Sequence, residues 1–155
     1  MIFRGLFILV LFFSLLPNCV VAEPAVDKEA KAFFDNYVKL GENFDVSISD
    51  LYSDQAKIKA NRIFPDGKNK EIEFEGAKWK SIVKAALSKA KKKGDVMKFS
   101  NIKVTVEGSK ATIKADRYSA LKCYSDKAYY MVIEKNSGKY QIVEEYVETH
   151  PQSKC

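Results

Sequence analysis

The side chains with the most chemical reach in this 155-residue chain are Arg62, Arg117, Tyr130, Glu144 and Tyr146. An arginine presents a planar fork that holds anions. A tyrosine gives an apolar wall ending in a hydroxyl donor. A carboxylate not claimed by an arginine can move a proton. All five lie in stretches that alternate apolar and polar residues, the period of a half-buried strand, whose successive side chains point to opposite faces. Ala111, Ile113 and Ala115 carry Arg117 and Ser119 onto the apolar face, and Ile58 and Ala60 carry Arg62 there. Tyr140 and Ile142 do the same for Glu144 and Tyr146, and Tyr130 is taken as inward because Glu134 then falls at the solvated mouth. The pattern predicts a small-molecule pocket walled by these five residues. In one form Arg117 or Arg62 holds an anionic ligand. In the other Arg117 pairs with Glu144 at the rim and the tyrosines fill the interior, since arginine is rarely buried without a partner.

Other chemistries find less support. Asp116 and Tyr118 are a base and a donor two residues apart, but they fall on the face opposite Arg117. The single histidine, His150, stands next to Pro151, and no C-x-x-C occurs, so neither a metal site nor a cofactor is expected. Lys78, Lys80, Lys84, Lys89, Lys91, Lys92 and Lys93 form a basic run without interleaved aromatics, which fits a solvated helix face better than a nucleic-acid surface.

Near the start of the chain stand Arg4, an apolar run from Leu6 to Phe13, Pro17, and then Val20-Val21-Ala22. That is the form of a secretory signal cleaved after Ala22, with residues 1–22 removed and a single domain over 23–155. The apolar run is shorter than the roughly 20 residues of a spanning helix, so no membrane span is expected after cleavage. Lipidation of Cys19 is the lesser alternative, because Asn18 is bulky for the position before a lipidated cysteine. A periplasmic or secreted location follows, and cleavage would leave two cysteines, Cys123 and Cys155. In an oxidising compartment they can form one disulfide or remain two thiols.

The elements that must position these residues follow from period and punctuation. The chain is 46% hydrophobic and 30% charged, with a formal charge of +6 and only seven Gly and four Pro, which excludes a disordered or low-complexity chain. Ala30, Phe33, Phe34, Tyr37 and Leu40 recur at helical spacing between Asp27, a helix cap, and Gly41, a stop. Strand alternation runs from about Leu51 to Phe64, and Pro65-Asp66-Gly67 turns the chain into a brief strand at Ile72 and Phe74. Trp79, Ile82, Val83, Ala86, Leu87 and Ala90 mark a second helix, ended by Gly94. Four strands follow: one around Val104, one from Ala111 to about Cys123, one from Ala128 to Lys135 after a break at Ser125-Asp126, and one from Tyr140 to Thr149. Helices followed by an antiparallel meander give an α+β class.

Between Asp27 and Thr149 this order of elements resembles the nuclear transport factor 2-like superfamily, with its SnoaL-like members. Three local patterns carry the resemblance: Leu51-Tyr52-Ser53-Asp54-Gln55-Ala56, Phe74-Glu75-Gly76, and Asn136-Ser137-Gly138-Lys139-Tyr140-Gln141-Ile142-Val143. It implies a cystatin-like cone of helices on a curved antiparallel sheet, an internal pocket, and in some members a homodimer through the sheet. Its members include isomerases, dehydratases, hydrolases and non-catalytic binders, so the fold alone does not name a function. The reading favoured here is an exported envelope domain that binds a small ligand or peptide without catalysis. The alternative is a small pocket enzyme that uses Glu144 or Asp116 with a tyrosine for general acid-base chemistry.

Overall fold

The computed structural model describes residues 28–151 and 155; the expected signal segment and Asp27 lie outside them. Helix α1 (Lys28–Glu42) leads through a 3-10 turn (Val46–Leu51) into strand β1 (Tyr52–Ile63) and strand β2 (Asn69–Glu75). Helix α2 (Gly76–Lys93) follows, and then strands β3 (Met97–Glu107), β4 (Lys110–Ser119), β5 (Tyr124–Asp126), β6 (Tyr130–Asn136) and β7 (Lys139–Thr149). The sheet order is β2-β1-β7-β6-β4-β3, with β5 paired to the end of β4. Every pairing is antiparallel except β1 with β7, which is parallel, so the sheet is mixed where an all-antiparallel one was expected.

Both helices form where their apolar spacing places them. Helix α1 buries Ala30 and Phe34. It runs through Gly41, and Phe44 makes the reversal at φ 54°, donating its N–H to the Gly41 carbonyl at 3.0 Å. Asp45 then caps the 3-10 turn by accepting from the Ser47 N–H at 2.9 Å. Helix α2 ends as expected at Gly94, whose φ of 66° is a left-handed C-cap. At its start Gly76 lies against β1 so closely that a Cβ there would overlap the Ser53 carbonyl oxygen.

Strand β4 ends at Ser119, four residues earlier than the alternation suggested. The chain turns over 120–123 with Cys123 at φ 52°, and Ser125-Asp126, expected as a break, belongs to β5.

The concave face of the sheet, covered by the helices, holds the core. Ile58, Ala111, Ile113, Met131, Ile133, Ile142, Tyr52 and Tyr129 are each at most 1% exposed. Two phases differ from the expected ones. Tyr129, just before β6, and Met131 and Ile133 within it are buried, so Tyr130 points outward. In β7, Ile142 sits opposite Ile133 while Glu144 sits opposite Val132, so Val143 is an extra residue. This bulge reverses the alternation, placing Ile142, Glu145 and Val147 inside and Glu144 and Tyr146 outside.

Candidate functional site

The interior of the cone holds a carboxylate that strict alternation would have left outside. Glu145 is 1% exposed. Its Oε1 accepts the hydroxyls of Tyr37 at 3.1 Å and Tyr129 at 3.0 Å, and its Oε2 accepts the hydroxyl of Tyr52 at 2.7 Å. Helix α1 supplies Tyr37, β1 supplies Tyr52, and the residue before β6 supplies Tyr129. The parallel register places Ile58 beside Glu145, so the carboxylate crosses the middle of the sheet. Burial raises the Glu145 carboxyl above its ordinary range, opposed by the tyrosine hydroxyls and by the charge of Arg117. Burial first, and then the Glu145 charge, pushes the phenols of Tyr37 and Tyr52 well above their ordinary value, and burial is again the largest cause at Tyr129. The indole N–H of Trp79, on α2, is buried with no partner among the described residues.

Arg117 faces inward as alternation predicts, but its partner is Asp126 rather than Glu144. Nη1 lies 3.7 Å from the Asp126 carboxylate and donates to the Glu148 carbonyl at 3.2 Å. Asp126, fully buried, also accepts from the N–H groups of Ala128 at 3.0 Å and Glu148 at 2.8 Å. The expected Arg117–Glu144 pair is excluded by the bulge, which turns Glu144 to the other side of the sheet. Arg62 shares the inner phase of β1 but stands exposed at the strand end, its guanidinium 5.5 Å from the Phe64 ring centre.

Tyr130, Glu144 and Tyr146 do come together, on the outer face. The Tyr130 hydroxyl donates to Glu144 at 2.6 Å, and the Tyr130 and Tyr146 rings stack with centres 5.8 Å apart and planes 5° apart. The Asn61 amide donates to the Tyr146 hydroxyl at 3.1 Å, which in turn donates to Glu148 at 3.1 Å. The hydrogen bond to Glu144 pushes the Tyr130 phenol up to about 12. Lys57 and Lys59 on β1 are the lateral neighbours of Glu144 and Tyr146, and Lys114 on β4 is the neighbour of Tyr130. Asp116 also faces outward, accepting from Asn101 at 2.7 Å.

Surface clefts open elsewhere. One lies at the β1–β2 hairpin, lined by Phe64, Pro65, Asp66, Lys68 and Asn69; the other lies among Ser53, Gln55, Glu134 and Gln141. Neither reaches Glu145. Cys123 and Cys155 form a disulfide with Cα atoms 5.2 Å apart, 32 residues apart in sequence, and His150 packs on Tyr124 at 4.3 Å between ring centres.

The inner carboxylate escaped the sequence reading because a bulge has no signature in the alternation it interrupts. The phase of β6 was legible. Tyr129, Met131 and Ile133 are a more apolar set than Tyr130, Val132 and Glu134, and choosing that set would have turned Tyr129 inward.

No protein-family model matches the sequence, and no curated protein matches it. Solved structures do. An NTF2-like protein of unknown function from Pseudomonas putida KT2440 is 12% identical, with 80% of this chain and 86% of that one covered at a TM-score of 0.58. An NTF2-like protein with a cystatin-like fold from Novosphingobium aromaticivorans is 12% identical, covering 79% and 80% at 0.53. One from Shewanella oneidensis MR-1 is 13% identical, covering 78% and 97% at 0.54.

Proposed function

Starting from the nuclear transport factor 2-like fold that this chain adopts, we propose that it is an exported, non-catalytic binding domain whose recognition surface is the outer face of the sheet around Tyr130 and Tyr146. The observation that carries this reading is the state of Glu145. An acid-base enzyme would need an inner carboxylate able to take a substrate proton, and Glu145 already accepts three hydroxyls from its own walls. The space that the fold elsewhere leaves for a ligand is filled here by Phe34, Tyr52, Tyr129 and the aliphatic core. The Cys123–Cys155 disulfide supports export, since such bonds persist in oxidising compartments.

The outer cluster has the makings of a binding platform. Two parallel tyrosine rings offer an apolar surface, Glu144 and Glu148 offer acceptors, and the exposed Lys57 and Lys114 offer donors, while Lys59 is held by Glu71 and Glu73. Charges of both signs around the rings suit a ligand that is flat, neutral and rich in hydroxyls, which gives and receives hydrogen bonds at its edge. A glycan chain has that chemistry. Titration with N-acetylglucosamine oligomers, followed by nuclear magnetic resonance, should shift Tyr130 and Tyr146. Tyr146→Ala should abolish the shifts while the protein stays folded. Binding that survives Tyr146→Ala, or shifts confined to residues beside Glu145, would overturn the reading. Sedimentation of the same samples separates it from self-association through the sheet.

A further inference from the structure

Helix α2 carries seven lysines and no acidic residue in 18 positions. Folding does not account for this composition. Lys91, Lys92 and Lys93 occupy the last turn, where cations favour the helix dipole, but Lys78 occupies the first turn, where it opposes it. Lys80 with Lys84, and Lys89 with Lys93, are like-charge pairs four residues apart, which weaken a helix. Among the described residues one of the seven, Lys80, has an ion-pair partner, Asp54 at 2.6 Å. Lys78, Lys84, Lys89, Lys91, Lys92 and Lys93 are all exposed.

The arrangement has a shape as well as a charge. At 100° per residue, Lys80, Lys84 and Lys91 fall on one flank of the helix, Lys78 and Lys89 on the other, and Lys92 between the two near the C-terminal end. Between them Ala77, Ser81, Ala85 and Ser88 form an exposed strip of small side chains. Trp79, Val83 and Leu87 point the other way, toward the sheet. The result is a broad cationic face about 27 Å long, its strip of small side chains interrupted by Lys92 near the C-terminal end.

We propose that this face of α2 docks the protein on the headgroups of an anionic phospholipid membrane. Charge complementarity sets the sign of the partner. Lysines spread across the whole width of the face match charges spread in a plane better than a single strand, and no exposed aromatic stands among them to stack on bases. The apolar side of α2 is committed to its own sheet, so contact is electrostatic, without insertion, and is weakened steeply by salt. The helices lie on the concave side of the sheet, so docking through α2 leaves the Tyr130 and Tyr146 platform turned away from the membrane.

The test uses protein recovered from the envelope of expressing cells, sedimented with phosphatidylglycerol-containing vesicles and with phosphatidylcholine vesicles. The readout is the ratio of the two partition coefficients, which cancels any contribution from apolar segments. The ratio should be high at low salt and should fall toward parity as salt is added. The triple variant Lys78→Gln, Lys84→Gln, Lys89→Gln should lower it on the order of 100-fold, or roughly fivefold per lysine. It should melt no lower than the parent, because it removes repulsion. A control triple on the opposite face, Lys98→Gln, Lys103→Gln, Lys139→Gln, has the same net charge and should leave the ratio near the parent value. Parity at low salt, or equal losses in both triples, overturns the proposal. So does tighter binding to duplex DNA than to anionic vesicles at matched salt. Should the α2 triple fail to fold, Lys84→Gln alone carries the test through its roughly fivefold loss.

Discussion

Tyr52 donates its hydroxyl to Glu145 at 2.7 Å across 93 residues of sequence, binding the first strand to the last at the centre of the sheet. Tyr52 is also the hydroxyl held by Oε2, whereas Oε1 is shared by Tyr37 and Tyr129. Tyr52→Phe is therefore expected to lower stability by about 2 kcal/mol, as for a hydrogen bond to a charged group, and Tyr37→Phe by about 1 kcal/mol. Urea denaturation of the two variants measures the order, and equal losses would mean that the two oxygens share their donors evenly.

The raised carboxyl of Glu145 makes stability depend on pH with a definite sign. In the folded state it holds its proton above the ordinary value of 4.5, so the fold binds more protons than the unfolded chain in the window just above that value. Its contribution is fully present below the unfolded value and is lost as pH rises through the folded one. Glu145→Gln does not titrate. The stability difference between parent and variant should shift against the parent as pH rises from 4.5 toward neutrality. Denaturation curves at several pH values check the slope, and a difference independent of pH would place the Glu145 pKa at its ordinary value.

Arg117 and Glu144 should behave as residues of different faces. Arg117→Ala strands the buried Asp126 carboxylate and is expected to cost about 3 kcal/mol. Glu144→Gln, on the outer face, is expected to change stability by less than about 0.5 kcal/mol. Thermal melts of the single and double variants would also show additivity, because the two residues share no partner.

Gly76→Ala tests the entry to α2. The added methyl meets the backbone carbonyl of Ser53, which a side-chain rotation cannot relieve, so a loss of about 3 kcal/mol is expected. Gly41→Ala, in α1, meets the Ile48 Cδ1 at an ordinary 3.7 Å and should be neutral or slightly stabilising. Circular dichroism melts of both variants give the comparison.

The helices, the hairpin turns and the inward set of β4 were legible because each rests on a local rule: a period, a glycine at positive φ, an alternation without interruption. Arg117 and Ser119 landed on the predicted face for that reason. The site failed where a rule depends on pairing. Val143 becomes a bulge because Ile133 and Val132 face Ile142 and Glu144 across the strand, a relation between two segments that neither one displays. Asp126 reads as turn chemistry in sequence, and it becomes the partner of Arg117 only because β5 folds back beside the end of β4.

The parallel pairing of β1 with β7 also governs the order in which the molecule can be assembled. Until the last strand is available, β1 has β2 on one side and an open edge on the other, and Ile58, with its neighbour missing, has no finished sheet to bury it. A nascent chain emerging N-terminus first would hold helices and hairpins but no closed core until β7 was made. Before that strand emerges, the chain keeps the looseness of an unclosed sheet, open to threading or to the wrong partner.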